Sequence, residues 1–426
     1  MLRRFAWAAA CLAVACGGED EGDGSEPAGA DLGAGGGGTP DAAGPALPAG
    51  CDALVEPGEN DLERLQTALI EVAAGATLCL GEGTFHLDTE VSLGVDDVTV
   101  RGAGRDTTIL DFSAQNVGAN GLLVTSDRVT LEAFTVRETP GDGIRANDVA
   151  GIVFRDLAVT WAAESSLSNG AYGLYPVQSR DVLIERCLVV GARDAGIYVG
   201  QSERIVVRDS EARGNVAGIE IENSTDAEVV GNLAHDNTGG ILVFNLPELP
   251  VQDGKRAKVH GNRVEANNRA NFGAPGSIVS QVPSGTGILV LAADGNEIHD
   301  NTLTGNAGGA VMIVSFIPDL FGEYDDPAFN RFPTGNFVHD NTFDGNGEMP
   351  QGLLEALGVP APFAELLWDG CVEEGVDGQA PEVRNCFRGN TGADFHNLDF
   401  CNGFAGRSTD AATVDCSHDA LPPIDL

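Results

Sequence analysis

The chain has 426 residues and carries 64 Asp and Glu against 24 Lys and Arg, a formal net charge of −40. Such a surface repels nucleic acid and anionic headgroups, and it repels polyuronates unless a cation such as calcium stands between. The length suits two or three ordinary domains, or one long repeat array that counts as a single domain.

Residues 1–16 read as an export signal. Arg3 and Arg4 give the positive start, Phe5 to Ala15 an apolar run too short to cross a bilayer, and small residues precede Cys16. Ala13-Val14-Ala15-Cys16 resembles a bacterial lipobox, with the leucine one position early at Leu12. That resemblance implies lipidation at Cys16; the alternative is an ordinary signal cut nearby. Residues 17–50 are rich in Gly, Ala, Asp, Glu and Pro and cannot bury a core, so they are expected to form a disordered acidic tether. Gly17 and Gly18 lack the aspartate that retains similar lipoproteins at the inner membrane. The expected location is the outer membrane or cell surface, with the lipid as the only membrane contact.

Beyond Cys11 and Cys16, seven cysteines remain. An exported protein permits disulfides, so Cys51 and Cys79 are expected to pair. Two further bridges are expected among Cys371, Cys386, Cys401 and Cys416, in an order the spacing leaves open. Zinc binding by those four is the weaker reading, since no Cys-x-x-Cys pair is present. Cys187, on a strand, reads as a buried thiol.

Asn60-Asp61-Leu62-Glu63 has a capping-box pattern and opens an amphipathic helix with Leu62, Leu65, Leu69 and Val72 on one stripe, stopped by Gly75. Residues 77–80, 83–85, 98–102 and 108–112 then alternate as half-buried strands do. From there a glycine recurs. Gly121, Gly143, Gly173, Gly196, Gly218, Gly240, Gly287 and Gly309 each open a short apolar strand, in steps of 22, 30, 23, 22, 22, 47 and 22. A period near 22 with strands and no helices marks a β-solenoid, whose coils bury their apolar faces only by stacking. Each coil shows two clear strands, the second exemplified by Val182-Leu183-Ile184 and Ile205-Val206-Val207. A turn column of Asp156, Arg186, Asp209, Asn232, Asn262, Asn301 and Asn341 follows, with a second column of Asn215, Asn237, Asn306 and Asn346. Both are expected to be internal ladders that satisfy buried backbone groups.

The entry GEGTF, the lead VTVRGAGRDTTILDF and the run GLYPVQS, GIYVGQS, GIEIENS, GILVFNLP resemble bacterial right-handed parallel β-helix repeat proteins of the pectin-lyase-like group. The resemblance covers about residues 51–343. It implies an all-β, single-chain right-handed β-helix of ~22 residues per coil. The expected division is a β-helix over 51–346, lidded by the N-terminal helix, and a helical, disulfide-linked cap over 347–426. The group contains polysaccharide lyases, hydrolases and epimerases, so it fixes no one activity.

Strand alternation puts Arg145, Tyr175, Tyr198, Glu220, Leu242 and Leu289 in one outward column and Asn147, Val177, Gly200, Glu222, Phe244 and Leu291 in the next. Insertions around 162–171, 245–262, 262–287 and 315–335 are expected to wall this face into a cleft. Aromatic faces stack on sugar rings, so Tyr175, Tyr198 and Phe244, helped by Gln178, Gln201, Asn223 and Asn245, are the candidate glycan-binding residues. Glu220 and Glu222 lie ~6.5–7 Å apart along the strand, a spacing compatible with a glycosidase carboxyl pair. Lyase and epimerase chemistry is disfavoured, because Arg145 is the only cation in the column and the epimerase Asp-Pro-His-Asp signature is absent. Calcium at Glu220, Glu222 or Asp325-Asp326 is the one cofactor considered, though no spaced motif supports it. His235, His299 and His339 each precede Asp-Asn, but His235 belongs to a different turn and should not stack with the others. The reading is a monomeric envelope lipoprotein that binds a glycan. A glycoside hydrolase and a ligand-free structural or adhesive protein are the alternatives.

Overall fold

The computed structural model describes residues 47–356, 358 and 361–426, so the signal, Cys16, the tether through residue 46 and Leu357 lie outside the described residues. Strands stack in register into three parallel sheets of twelve, eleven and ten strands, each running in chain order from one end of the rod to the other. One coil illustrates the plan: Ala195–Gly200 in the eleven-stranded sheet, Glu203–Arg208 in the twelve-stranded sheet and Glu211–Arg213 in the ten-stranded sheet. Each coil therefore has three strands where the sequence showed two. From Thr135–Arg137 onward the third is only three residues long, too short for an alternation signal.

Ile197, Ile219, Ile241, Ile288 and Val311 fall directly over one another and are fully buried. Each such side chain removed from water contributes about 1.5–3 kcal/mol. The recurring glycine also has a steric cause. A Cβ at Gly196 would stand 2.7 Å from Asn215 Nδ2, inside the rod.

Three asparagine ladders run through the turns. In one, Asn232, Asn262, Asn301, Asn341 and Asn390 each pass an amide hydrogen bond to the next side-chain oxygen. The second contains Asn215, Asn237, Asn267, Asn306 and Asn346, and the third Asn296, Asn336 and Asn385. Asp156, Arg186 and Asp209 do not belong to the first ladder. They sit one residue earlier in left-handed backbone (φ 52°, 53° and 50°), and Cys187 and Ser210 hold the internal position instead.

The N-terminal helix spans Asp61–Glu71 and buries Leu65 and Leu69 on the first coils. Its expected capping box is not formed. Asn60 is left-handed and makes no side-chain cap, while the buried Asp61 carboxylate accepts from the Gly58 and His86 amides and pairs with Arg64. At the other end the β-helix runs past residue 346. Leu366–Trp368, Cys386–Arg388 and Phe395–Asn397 add strands to two of the sheets, and the expected helix shrinks to Leu353–Ala356. Disulfides join Cys51–Cys79, Cys371–Cys401 and Cys386–Cys416, which leaves none of the four C-terminal thiols for zinc. Cys187 is free and buried.

Candidate functional site

The outer face of the eleven-stranded sheet divides into two halves. Toward the C-terminus Leu242, Leu289, Met312 and Leu367 lie in register. The inserted loops roof these residues with Val279, Val282, Phe316 and Phe329 rather than merely walling them. An apolar cavity of about 80 Å³ remains beneath, lined in part by Phe244, Leu291 and Phe321. Phe244 is 2% exposed and serves this packing.

Toward the N-terminus the face is open and polar. Arg145 pairs in register with Tyr175, and Tyr198 with Glu220. The Tyr172, Tyr175 and Tyr198 rings pack with centroids 4.4, 4.7 and 5.0 Å apart, and the Arg145 guanidinium stands 4.9 Å from the centre of Tyr175. Tyr198 is 4% exposed and lies under the other two, which are half-buried, so Tyr172 and Tyr175 present the accessible rings. The Tyr198 hydroxyl donates to Glu222 Oε1 at 2.6 Å. Beside it Glu220 is 3% exposed, and its Oε2 meets no donor among the described residues.

Burial shapes the acidity here. It pushes Glu222 up to about 7 against the pull of the Tyr198 hydrogen bond. Burial and then the Glu222 and Asp194 charges push Glu220 well above the usual carboxylate range. Burial and repulsion from Glu222 raise Asp194 to about 8, and burial raises Asp142 to about 6 although Arg145 opposes it. Carboxyls that hold protons near neutrality are suited to proton transfer.

Tyr175, Tyr198, Glu220 and Glu222 thus come together, and Tyr172, Asp142 and Asp194 join them unforeseen. Strict alternation counts Tyr172 as inward. Because the glycine points inward, the residue before it turns outward, as Ala195 and Ala217 also do. The remaining candidates lie elsewhere. Gln178 and Gln201 occupy the left-handed corner (φ 53° each), where they bond each other and line a separate groove with Asp148 and Arg180. Asn223 and Asn245 are 0% and 1% exposed and bind the backbone of the following loop: Asn223 at Leu246 and Val251, Asn245 at Gln252 and Gly254. Their amides are not available to a ligand.

A family model described as a right-handed β-helix region matches residues 98–247 and 163–316, together just over half of the sequence. The chain belongs to the right-handed β-helix family. No curated protein matches this β-helix in sequence. Among solved structures it is similar to the Azotobacter vinelandii mannuronan C-5 epimerase AlgE4 A-module, with 16% identity, 80% of this chain and 95% of that chain covered, and a TM-score of 0.51. It is also matched to an alginate lyase from Paenibacillus sp. (17% identity, 59% and 95% covered, TM-score 0.37). A third match is the DFA-IIIase of Arthrobacter chlorophenolicus (10% identity, 76% and 84% covered, TM-score 0.42). At these identities the likeness is one of fold.

On the twelve-stranded sheet of this β-helix, His299 stacks on His339 at 4.9 Å, and His260 takes the place beside them at 4.8 Å. His235 instead pairs with Glu211 and Asp236. Among the described residues no three His, Cys, Asp or Glu side chains converge closely enough for a metal ion.

Proposed function

We propose that this β-helix binds a carbohydrate on the open half of its eleven-stranded sheet. The carrying observation is the pair of half-buried Tyr172 and Tyr175 rings set above Tyr198, beside carboxyls that can hydrogen-bond hydroxyls. The mannuronan epimerase named above is in keeping with a sugar polymer as ligand of this fold, and the fold alone fixes no substrate. Retention of the full chain on a glycan array tests the reading, with Tyr175→Ala expected to weaken it about tenfold while melting stays unchanged. Equal retention by the variant sinks it.

A second reading, glycoside hydrolysis, is favoured by Glu222. Its carboxyl is pushed to about 7 and is held in place by Tyr198. In that reaction a carboxylic acid protonates the leaving glycosidic oxygen, and a partner carboxylate either activates a water or attacks the anomeric carbon. New reducing ends from wild type and none from Glu222→Gln support it; equal release from both ends it. We also take the chain to be exported and lipid-anchored through Cys16, from the arginine start and apolar run of residues 1–16. Cys16→Ser should then move it from the membrane fraction to the soluble fraction.

A further inference from the structure

The open half of the sheet has buried carboxyls and no resident cation bonded to them. Among the described residues Glu220 Oε2 meets no donor, and the Glu222 carboxyl receives only the Tyr198 hydroxyl. Arg193 lies near Asp194, but its Nε is committed to the Asn169 carbonyl at 2.8 Å. Arg145 stands over Tyr175 and donates to Asn147 Oδ1 at 3.0 Å. Asp142 completes the acidic rim, with Glu90 adding a more remote negative charge. Facing these groups are the three tyrosine rings. Burial leaves Glu222, and burial with repulsion from Glu222 leaves Asp194, holding protons near neutrality, which a bound cation would displace. Carboxyls and aromatic faces side by side are the two partners that an organic ammonium ion selects.

We propose that this cluster of carboxyls and tyrosines takes the ammonium group of an amino sugar, so that the ligand is a cationic glycan. This rests on the carbohydrate reading and narrows it to one substrate class. The ammonium N–H groups donate to the partly exposed Glu222, with the buried Glu220 carboxyl behind it, while the adjoining C–H surface lies against Tyr172 and Tyr175. A divalent metal is the rival cation, and among the described residues no three acidic side chains are grouped to hold one. The net charge of −40 works in the same direction, drawing cationic polymers toward the face.

The test is calorimetric titration of the full chain with a glucosamine tetramer and with its N-acetylated counterpart near neutral pH. The free-amine tetramer is expected to bind about tenfold tighter, the scale of one cation–π contact or partly buried ion pair. It should also release protons to the buffer. Glu222→Gln should erase the preference for the free-amine tetramer. Equal or tighter binding of the N-acetylated tetramer overturns the amino-sugar assignment and leaves the carbohydrate reading standing. Binding of neither tetramer, nor of any glycan on the array, removes both. Calcium that binds the wild type, is lost in Glu222→Gln and competes with the free-amine tetramer overturns the assignment in favour of a metal site.

Discussion

Two glutamates stand at outward positions on adjoining sheets, each 3% exposed, in opposite electrostatic surroundings. On the twelve-stranded sheet Glu185 belongs to a column in which Arg101, Glu132, Arg155, Glu185 and Arg208 alternate in sign from coil to coil. Its carboxylate meets Arg155 at 2.5 Å, Arg208 at 2.6 Å and Arg186 at 3.3 Å. Burial alone would raise its pKa, but the arginine hydrogen bonds outweigh burial and hold it below the usual carboxylate range. On the eleven-stranded sheet Glu220 has Tyr198 on one side and Leu242 on the other, and one of its oxygens bonds nothing. The same stacking produces a self-neutralised wall on one face and an unsatisfied one on the other. Structural ion columns close on themselves, whereas a buried carboxyl without a partner is the kind of group that marks a candidate functional position.

Removing the carboxylate breaks the comparison in opposite directions. Glu185→Ala removes the carboxylate that three guanidiniums share, leaving Arg155 with Glu132, Arg186 with Asp156 and Arg208 with its counter-charge gone, and should cost about 2 kcal/mol. The figure is below that for a fully buried pair because the three arginines are 34%, 46% and 45% exposed. Glu220→Leu removes a buried group with an unmade bond from an apolar setting, and should gain about 1 kcal/mol. Paired denaturant melts decide this: destabilisation of similar size in both variants would mean that Glu220 is satisfied in solution.

The same contrast should appear in the pH dependence of stability. Glu222 and Asp194 have constants raised to about 7 and 8 from ordinary values of 4.5 and 3.8. The folded chain therefore binds more protons than the unfolded chain between those limits, and stability falls as pH rises from about 5 to 8. Glu185 has a lowered constant, so its contribution is present above the ordinary carboxylate value and is lost as pH falls through its folded value. Glu222→Gln should flatten the upper limb of the stability profile and leave the acid limb alone. An unchanged upper limb would show that the cluster does not titrate there.

Register explains what could be read from the chain in advance. The glycine spacing announces the coils, and in-strand alternation places Tyr175, Tyr198, Glu220 and Glu222 on one face, because both follow from a period of two within strands that stack coil on coil. Alternation stops being informative at strand ends. Asn223 and Asn245 continue the outward count on paper, yet their amides are taken by the loop that follows. Tyr172 counts as inward on paper, yet Gly173 breaks the alternation and turns its ring out beside Tyr175. Asp194 lies in a turn, and the alternating charges of the Glu185 column are 31, 23, 30 and 23 residues apart, so neither is visible before the coils are aligned.

The smallest change sharpens the comparison most, because it alters one hydrogen bond and no charge. Tyr198→Phe removes the hydroxyl that donates to Glu222 Oε1 at 2.6 Å and keeps the ring that packs on Tyr172 and Tyr175. That bond favours the ionised carboxyl and opposes the upward push of burial, so without it the Glu222 constant should rise above about 7. A donor to a charged acceptor contributes roughly 1.5–3 kcal/mol, and because Glu222 is partly protonated near neutrality the loss should fall toward about 1 kcal/mol there and grow at higher pH. Titration of the Glu222 carboxyl by carbon NMR reads the shift directly. Glu185, on the other sheet, provides the control, since its arginines are untouched and its titration should not move. If the Glu222 constant falls or stays put in Tyr198→Phe, the hydroxyl is not its donor, and the open half of the sheet has a different proton arrangement from the one described.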